Sequence, residues 1–294
     1  AKADMLIKGG NASGMKYGDT LSDDAFSGYE FDYIISNPPF GIDWKREKTQ
    51  VESEAKHGFD GRFGPGLPAI SDGQMLFLLN GVKKLKSGSG RMAIIQNGSS
   101  LFTGDAGSGA SEIRRYVIEG DLVEAIIQMP TDLFYNTGIS TYIWVLTKGK
   151  TMQRSGRVQL IDASKCYVKR RKNIGNKRVD LDDACIRLIL RAYEGFADET
   201  CEESGLIVES KVFVNRFFGF TKVTVETAQT DEQGKPILKK GKKQPVKGAT
   251  DTEIIPLSEN IDAYMEKNVL PYNPLAYIDH TKDKIGYEVP FTRL

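Results

Sequence analysis

The sequence has 294 residues, 40% of them hydrophobic and 27% charged, and its 40 lysines and arginines nearly cancel 39 aspartates and glutamates for a formal charge of +1. That length can bury one sizeable core, or a core with an added lobe, while the near-zero charge excludes a general attraction to polyanions and leaves that role to local basic patches. No apolar run approaches the roughly 20 residues of a membrane span and no secretory leader is evident, so the chain is read as cytoplasmic with no membrane partner.

Residues 1–8 are helical in composition yet start without a cap. Asn11 to Gly18 is turn-like, and Asp19 is expected just past a short strand, where a carboxylate can accept from a cofactor's amine or hydroxyl. Asp is equally at home in a solvated turn. Phe31 to Ile35, β-branched and aromatic between Gly28 and Pro38, predicts a short buried strand. It stops in Asn37-Pro38-Pro39-Phe40. The two prolines fix φ near −65° and lack N–H donors, so this loop is stiff and presents carbonyls. An amide oxygen, a backbone carbonyl and an aromatic face within four residues suit a planar base bearing an exocyclic amine. The plainer reading is a strand ended by prolines.

Gly41 to Ile70 is expected to be a long irregular segment. Lys45, Arg46, Lys48, Lys56, His57 and Arg62 alternate there with Trp44, Phe59 and Phe63. Beside a base-binding loop that mixture points to phosphates and bases around an extruded nucleotide, or else to a mobile charged loop. A helix capped by Ser71 or Asp72 follows, then a strand at Arg91–Gln96 and a helix over Ser111–Glu119. Strands at Leu122–Met129 and Ser140–Leu146, joined through Pro130 and a turn at 136–138, are expected as an antiparallel pair at the sheet edge.

Beyond about residue 150 the character changes. A strand at Arg157–Ile161 precedes a tract, 165–178, with seven basic residues. Leu181–Tyr193 reads as an amphipathic helix capped by Asp180 or Asp182. Strands at Lys211–Phe220 and Thr221–Thr227, a flexible Lys-rich tract at 231–248, a helix near Asn260–Asn268 and a Pro-rich tail complete the chain. The division expected is 1–150 for a catalytic core and 151–294 for an α+β extension. Both basic tracts could meet DNA phosphates; charge runs are otherwise solvated surface. Cys166, Cys185 and Cys201 are too widely spaced for a disulfide framework or a zinc knuckle, and no metal site is expected.

Asn37-Pro38-Pro39-Phe40 after such a strand resembles the catalytic motif of S-adenosylmethionine-dependent amino-group methyltransferases. The likeness widens along the chain. Asp72-Gly73-Gln74-Met75-Leu76-Phe77, Ala93-Ile94-Ile95-Gln96-Asn97-Gly98, Val123 to Pro130, Leu133-Phe134 before Thr137-Gly138, and Lys284-Ile285-Gly286-Tyr287-Glu288-Val289-Pro290-Phe291 are together similar to the modification subunit of type I restriction-modification systems. That resemblance implies site-specific methylation of the exocyclic amine of adenine in DNA. Asn37 and Pro38 would hold the amine of a flipped adenine and Phe40 would stack on it. Phe134 would be a second aromatic on the base, though between Leu133 and Tyr135 it also reads as core. Asp19 would contact the cofactor's adenine, and Lys45 and Arg46 the DNA. The partners implied are DNA, a specificity subunit and the restriction subunit of such a system.

The fold implied is α/β: the C-terminal half of a class I, Rossmann-like methyltransferase with a mixed sheet and an antiparallel final strand, plus a smaller α+β region. One departure matters. A glycine-rich cofactor loop should follow a first strand, and nothing before Asp19 supplies it; the glycines of Gly104 to Gly109 come after the catalytic strand. The chain is therefore expected to be a fragment lacking the amino-terminal helical region and the main cofactor loop, inactive alone, with an exposed sheet edge. Two other readings remain: a non-catalytic scaffold that docks partners or nucleic acid, and a methyltransferase acting on glutamine in proteins.

Overall fold

A seven-stranded mixed sheet organises the computed structural model, which describes residues 2–135 and 137–293. Ala1 of the expected first helix and Asn136 of the expected turn lie outside the described residues. In chain order, helix α1 (Lys2–Ile7) is followed by strand β1 (Tyr33–Ser36), α2 (Lys48–Ala55), α3 (Gln74–Lys83), β2 (Arg91–Asn97), α4 (Ser99–Phe102) and α5 (Gly109–Glu119). Next come β3 (Val123–Gln128), β4 (Thr141–Thr147), β5 (Arg157–Asp162), the hairpin β6 (Val168–Ile174) and β7 (Lys177–Asp180), and α6 (Asp183–Gly195). After β8 (Glu199–Glu203) and β9 (Leu206–Val214) the sheet is complete, in the order β1-β2-β4-β3-β5-β9-β8.

The β3–β4 pair is antiparallel as expected, but it lies inside the sheet and not at its edge. The reason is β5, which pairs parallel to β3 and is itself flanked by antiparallel β9. Residue 150 thus falls within a continuous sheet. Apolar faces account for the layering. Leu76, Leu79, Val82, Ile113 and Val117 of α3 and α5 are buried with Ile94, Trp144 and Leu146 of the sheet. Cys185, Leu188 and Ala192 of α6 are buried with Ile127, Ile161 and Val208. Burying each large aliphatic side chain contributes about 1.5–3 kcal/mol. Helix α6 starts where Asp182 accepts the Cys185 N–H at 2.9 Å.

Strand β1 is an edge strand, and the expectation of burial fails for half of it. Tyr33 and Ile35 are 77% and 90% exposed, while Ile34 packs against the core. With β2 as its one sheet neighbour, β1 leaves one edge and one face uncovered.

The segment after β1 is more ordered than expected. Trp44, Arg62 and Phe63 are buried, so they are core and not nucleic-acid readers. Trp44 Nε1 donates to Ala69 O at 3.0 Å. The Arg62 guanidinium donates to both Glu54 oxygens (2.8 and 2.6 Å), to Thr20 O and Leu21 O, and to Asn80 Oδ1. One buried cation therefore ties the turn at residues 19–24 to α2 and α3.

Past β9, a 3-10 turn at Asn215–Phe218 interrupts the two strands expected over 211–227. Strand β10 (Gly219–Ala228) then begins a second, antiparallel sheet. The Lys-rich tract holds the two-residue strands β11 (Leu238–Lys239) and β12 (Lys242–Lys243). Strand β13 (Pro245–Pro256) pairs with β10, and helix α7 (Ile261–Asn268) follows, capped by Asn260. The Pro-rich tail forms strands as well: β14 (Ala276–Ile278) and β15 (Lys284–Tyr287) also pair with β10. Its motif residues latch onto the first sheet's helices. Arg114 Nε donates to Tyr287 O at 2.5 Å, Tyr287 N donates to Ser111 Oγ at 2.9 Å, and Val289 N donates to Leu101 O at 2.9 Å. Among the described residues, no helix is long and apolar enough to cross a membrane.

Candidate active site

Strands β1 and β2 are parallel, so Asn37, just past β1, and Asn97, the last residue of β2, emerge at the same end of the sheet. Antiparallel β4 begins there too, with Thr141 opposite Asn97. The loop leading into β4 arches over this end and closes a cleft of about 600 Å³. Its lining includes Asn37, Pro38, Pro39, Phe40, Asn97, Phe134 and Tyr135. Ligand sites in open α/β sheets form at this position because strand ends hold loops rigidly around a crevice.

Pro38 is buried, Phe40 and Phe134 are half-buried, and Asn37 is exposed. Neither the Asn37 side chain nor the Pro38 carbonyl takes a hydrogen-bond partner among the described residues. Two acceptors thus stand open beside two aromatic rings. Gly41, at φ +62°, turns the chain directly after Phe40, a conformation that a side chain would strain. Among the described residues, the lining contains no carboxylate, imidazole, amine or thiol. The cleft can therefore orient and polarise a bound group, but it has no general base of ordinary kind to deprotonate one.

Beneath the cleft lies a polar network absent from the expectations. Gln74 is buried at the start of α3, and its Nε2 donates to Asp72 Oδ2 (2.8 Å), Asn97 Oδ1 (2.8 Å) and Ser99 Oγ (2.5 Å). Gln74 Oε1 accepts the Asn97 N–H at 3.0 Å. Asn97 Oδ1 also accepts from Ser99 N at 2.9 Å and Ser99 Oγ at 2.6 Å. With its oxygen so occupied, Asn97 has its amide N–H groups left to offer the cleft. The sequence signal was the pairing of Asp72-Gly73-Gln74 with a strand ending in Asn97, which marked a likeness without revealing a contact. Nearby on β4, burial and then the Asp162 carboxylate hold the Tyr142 phenol above its usual range, so it stays protonated.

Asp19 is placed differently. Among the described residues no strand precedes it, and its Oδ1 accepts from Leu21 N, Ser22 N and Ser22 Oγ at 2.9, 2.9 and 3.1 Å. It is a turn residue with one oxygen, Oδ2, left over. With Arg46, Trp44 and Phe77 it lines a hollow of about 330 Å³ that shares Pro39 with the cleft. Lys45 is exposed and lines neither space. The structure therefore gathers Asn37, Pro38, Pro39, Phe40 and Phe134 in one cleft, sets Asp19 and Arg46 next door, and leaves Lys45 apart.

Residues 1–232 match the N-6 DNA Methylase family model. The methylase subunit of the type I restriction enzyme MjaIX, from Methanocaldococcus jannaschii, is 27% identical over 175 residues, which cover 59% of this chain and 30% of that protein. The HindI methylase subunit of Haemophilus influenzae is 27% identical over 247 residues, covering 82% of this chain and 52% of it. Among solved structures, the type I restriction-modification methyltransferase subunit of Streptococcus thermophilus superposes with a TM-score of 0.59 at 27% identity. That match covers 73% of this chain and 42% of the other. The chain spans about a third of the length of three Methanocaldococcus relatives and about half of the Haemophilus one.

Proposed function

The chain belongs to the N-6 DNA methylase family, with 232 of its residues matched, and from that premise we propose that it forms the base-binding part of a DNA adenine methyltransferase of a type I restriction-modification system. The observation that carries this reading is the pair of unengaged acceptors, Asn37 Oδ1 and Pro38 O, at the mouth of a cleft walled by Phe40 and Phe134. The amine of a flipped adenine has two N–H groups to donate, and its nitrogen lone pair is delocalised into the ring. Two acceptors that bind both protons favour a tetrahedral nitrogen and return the lone pair to it for in-line attack on a sulfonium methyl group, where the carbon–sulfur bond would break as the carbon–nitrogen bond forms and the nitrogen would then release one proton to water. The rings of Phe40 and Phe134 hold the base by stacking, which offsets the cost of extruding it from the duplex. This chemistry needs no matched general base, in keeping with the lining.

S-adenosylmethionine supplies the electrophilic methyl group in this scheme. Among the described residues, Asp19 Oδ2, in the hollow sharing Pro39, can accept from a ribose hydroxyl or an adenine amine. The glycines at 104–109 do not present a phosphate- or carboxylate-binding loop. Gly107 N donates to Ile285 O, and the space at Gly109 is filled by Leu67 O. A cofactor loop outside this sequence is part of the proposal. So are the other partners: duplex DNA, a specificity subunit that reads sequence, and the restriction subunit.

The test is transfer of a labelled methyl group from S-adenosylmethionine to adenine in duplex DNA by the full-length polypeptide that contains this sequence. Asn37→Ala should lower kcat by at least about 10²-fold, the scale of losing one preorganised polar contact to a transition state. Cofactor binding should be unchanged. Retained transfer would refute the assignment.

A further inference from the structure

Of the two basic tracts, one is fastened to the loop that lines the cleft. The β6–β7 hairpin carries six basic residues against a single acid, Asp180. Its tip touches the loop that holds Phe134. Asn176 N donates to Tyr135 O at 3.0 Å, Arg178 N donates to Asp132 O at 2.9 Å, and the Lys177 ammonium sits 5.4 Å from the centre of the Tyr135 ring. Gly175, at φ +58°, lets the tip approach so closely that a Cβ there would lie 2.6 Å from Tyr135 O. The hairpin is thus fastened by backbone hydrogen bonds to the lip of the cleft.

Its charges are unevenly used. Asp180 is taken by Arg170 and by Lys177 at 2.9 Å. Lys169, Arg171, Lys172 and Arg178 are exposed, and no ion pair engages them among the described residues. In a chain of net charge +1, four unopposed cations on one small hairpin make a strong local field. Lys169 and Arg171, two apart on β6 and both exposed, are set roughly 6.6 Å apart along the strand, close enough for both to meet the backbone of one DNA strand.

We propose that the β6–β7 hairpin is a phosphate-binding arm that grips the DNA backbone beside the base-binding cleft, with Lys169, Arg171 and Lys172 as its contacts. This rests on the reading of the cleft as a DNA adenine site and adds where the duplex lies. The arm's attachment to Asp132 and Tyr135 couples its grip to the position of the Phe134 loop. The second tract differs. Lys239, Lys240 and Lys242 are exposed on the two-residue strands β11 and β12 and their turn, and among the described residues no hydrogen bond ties that hairpin to the loop at the cleft.

The experiment is a salt titration of binding to a fluorescein-labelled random-sequence duplex, read by anisotropy on the full chain. Wild type is compared with Lys169→Gln/Arg171→Gln/Lys172→Gln and with Lys239→Gln/Lys240→Gln/Lys242→Gln; thermal melting confirms that both variants fold. The hairpin variant should lose about 2–3 units from the magnitude of the slope of log K against log salt, at ~0.9 per phosphate contact. The control should keep the wild-type slope. An unchanged slope in the hairpin variant overturns the proposal, as does a wild-type chain that fails to bind duplex at low salt. Failure of the cleft reading looks different: Asn37→Ala would keep methyl transfer whatever the salt slopes show.

Discussion

Gln74 Nε2 lies 2.8 Å from Asn97 Oδ1, so the first turn of α3 holds the last residue of β2 in place at the floor of the cleft. The same amide reaches Asp72 and Ser99, and its oxygen accepts the Asn97 N–H. Gln74→Leu keeps the bulk and removes every one of these bonds. It should cost about 1–3 kcal/mol, the desolvation penalty of partners left unsatisfied in a buried site. Urea unfolding followed by circular dichroism measures this, with the midpoint falling at constant slope. A variant as stable as wild type would mean that the network is not structural.

Arg114 makes a comparable prediction for the C-terminal latch. It is fully buried; its Nε donates to Tyr287 O and its Nη1 to Ser100 O. Burial pulls its guanidinium down to about 10, with the Glu288 charge opposing. Arg114→Ala leaves two carbonyls unpaired and a cavity between α5 and the tail, and should destabilise by about 2–4 kcal/mol. Tyr287→Phe removes one bond, to Glu119 at 2.8 Å, and should cost about 1 kcal/mol. Comparable losses in the two would show that the tail is held by something other than the Arg114 guanidinium.

What was legible in the sequence was what depends on local pattern. The strands β2, β3 and β4 and the helices α5 and α6 fall where apolar periodicity and capping residues put them, because each must bury one face and end at a polar signal. The place of Asn37–Phe40 just past a strand was legible for a similar reason: strand and loop are contiguous. What was hidden is non-local. Nothing in residues 123–147 says that β5 will pair on their far side. Trp44, Arg62 and Phe63 look like solvent-facing readers until α2 folds back and Glu54 meets Arg62. Gln74 and Asn97 are 23 residues apart, and only the parallel β1–β2 arrangement brings α3 over the end of β2.

The acid limb of stability should come from the ties around Arg62 and Lys84. Burial raises the Asp24 carboxyl, but hydrogen bonds from Lys84 and from the Phe26 backbone outweigh it and hold the group below its usual range; Glu54 behaves alike against Arg62. A carboxylate with a depressed folded pKa binds protons more weakly when folded than when unfolded. Its stabilisation is therefore fully present above the unfolded value, near 3.8 for Asp and 4.5 for Glu, and is lost as pH falls through the lower folded value. Unfolding free energy should fall below about pH 4.5, and Asp24→Asn/Glu54→Gln should flatten that fall while lowering stability at pH 7. Chemical denaturation at several pH values measures both. A double variant with the wild-type acid slope would place the titrating groups elsewhere.

Tyr33 and Ile35, 77% and 90% exposed, sit on the strand that leads straight into Asn37, yet nothing among the described residues covers them. On the proposed reading a cofactor methyl group is brought in line with a base held at Asn37, so whatever binds most of the cofactor would sit close to this end of β1. Among the described residues, the fitting group there is a carboxylate oxygen of Asp19, enough for one or two hydrogen bonds of about 0.5–1.5 kcal/mol each. Isothermal titration of the chain with S-adenosylmethionine should accordingly give a Kd weaker than about 1 mM, or −4.1 kcal/mol. Micromolar binding would show that the residues present already make a complete cofactor site, and the proposed glycine-rich loop outside this sequence would be unnecessary.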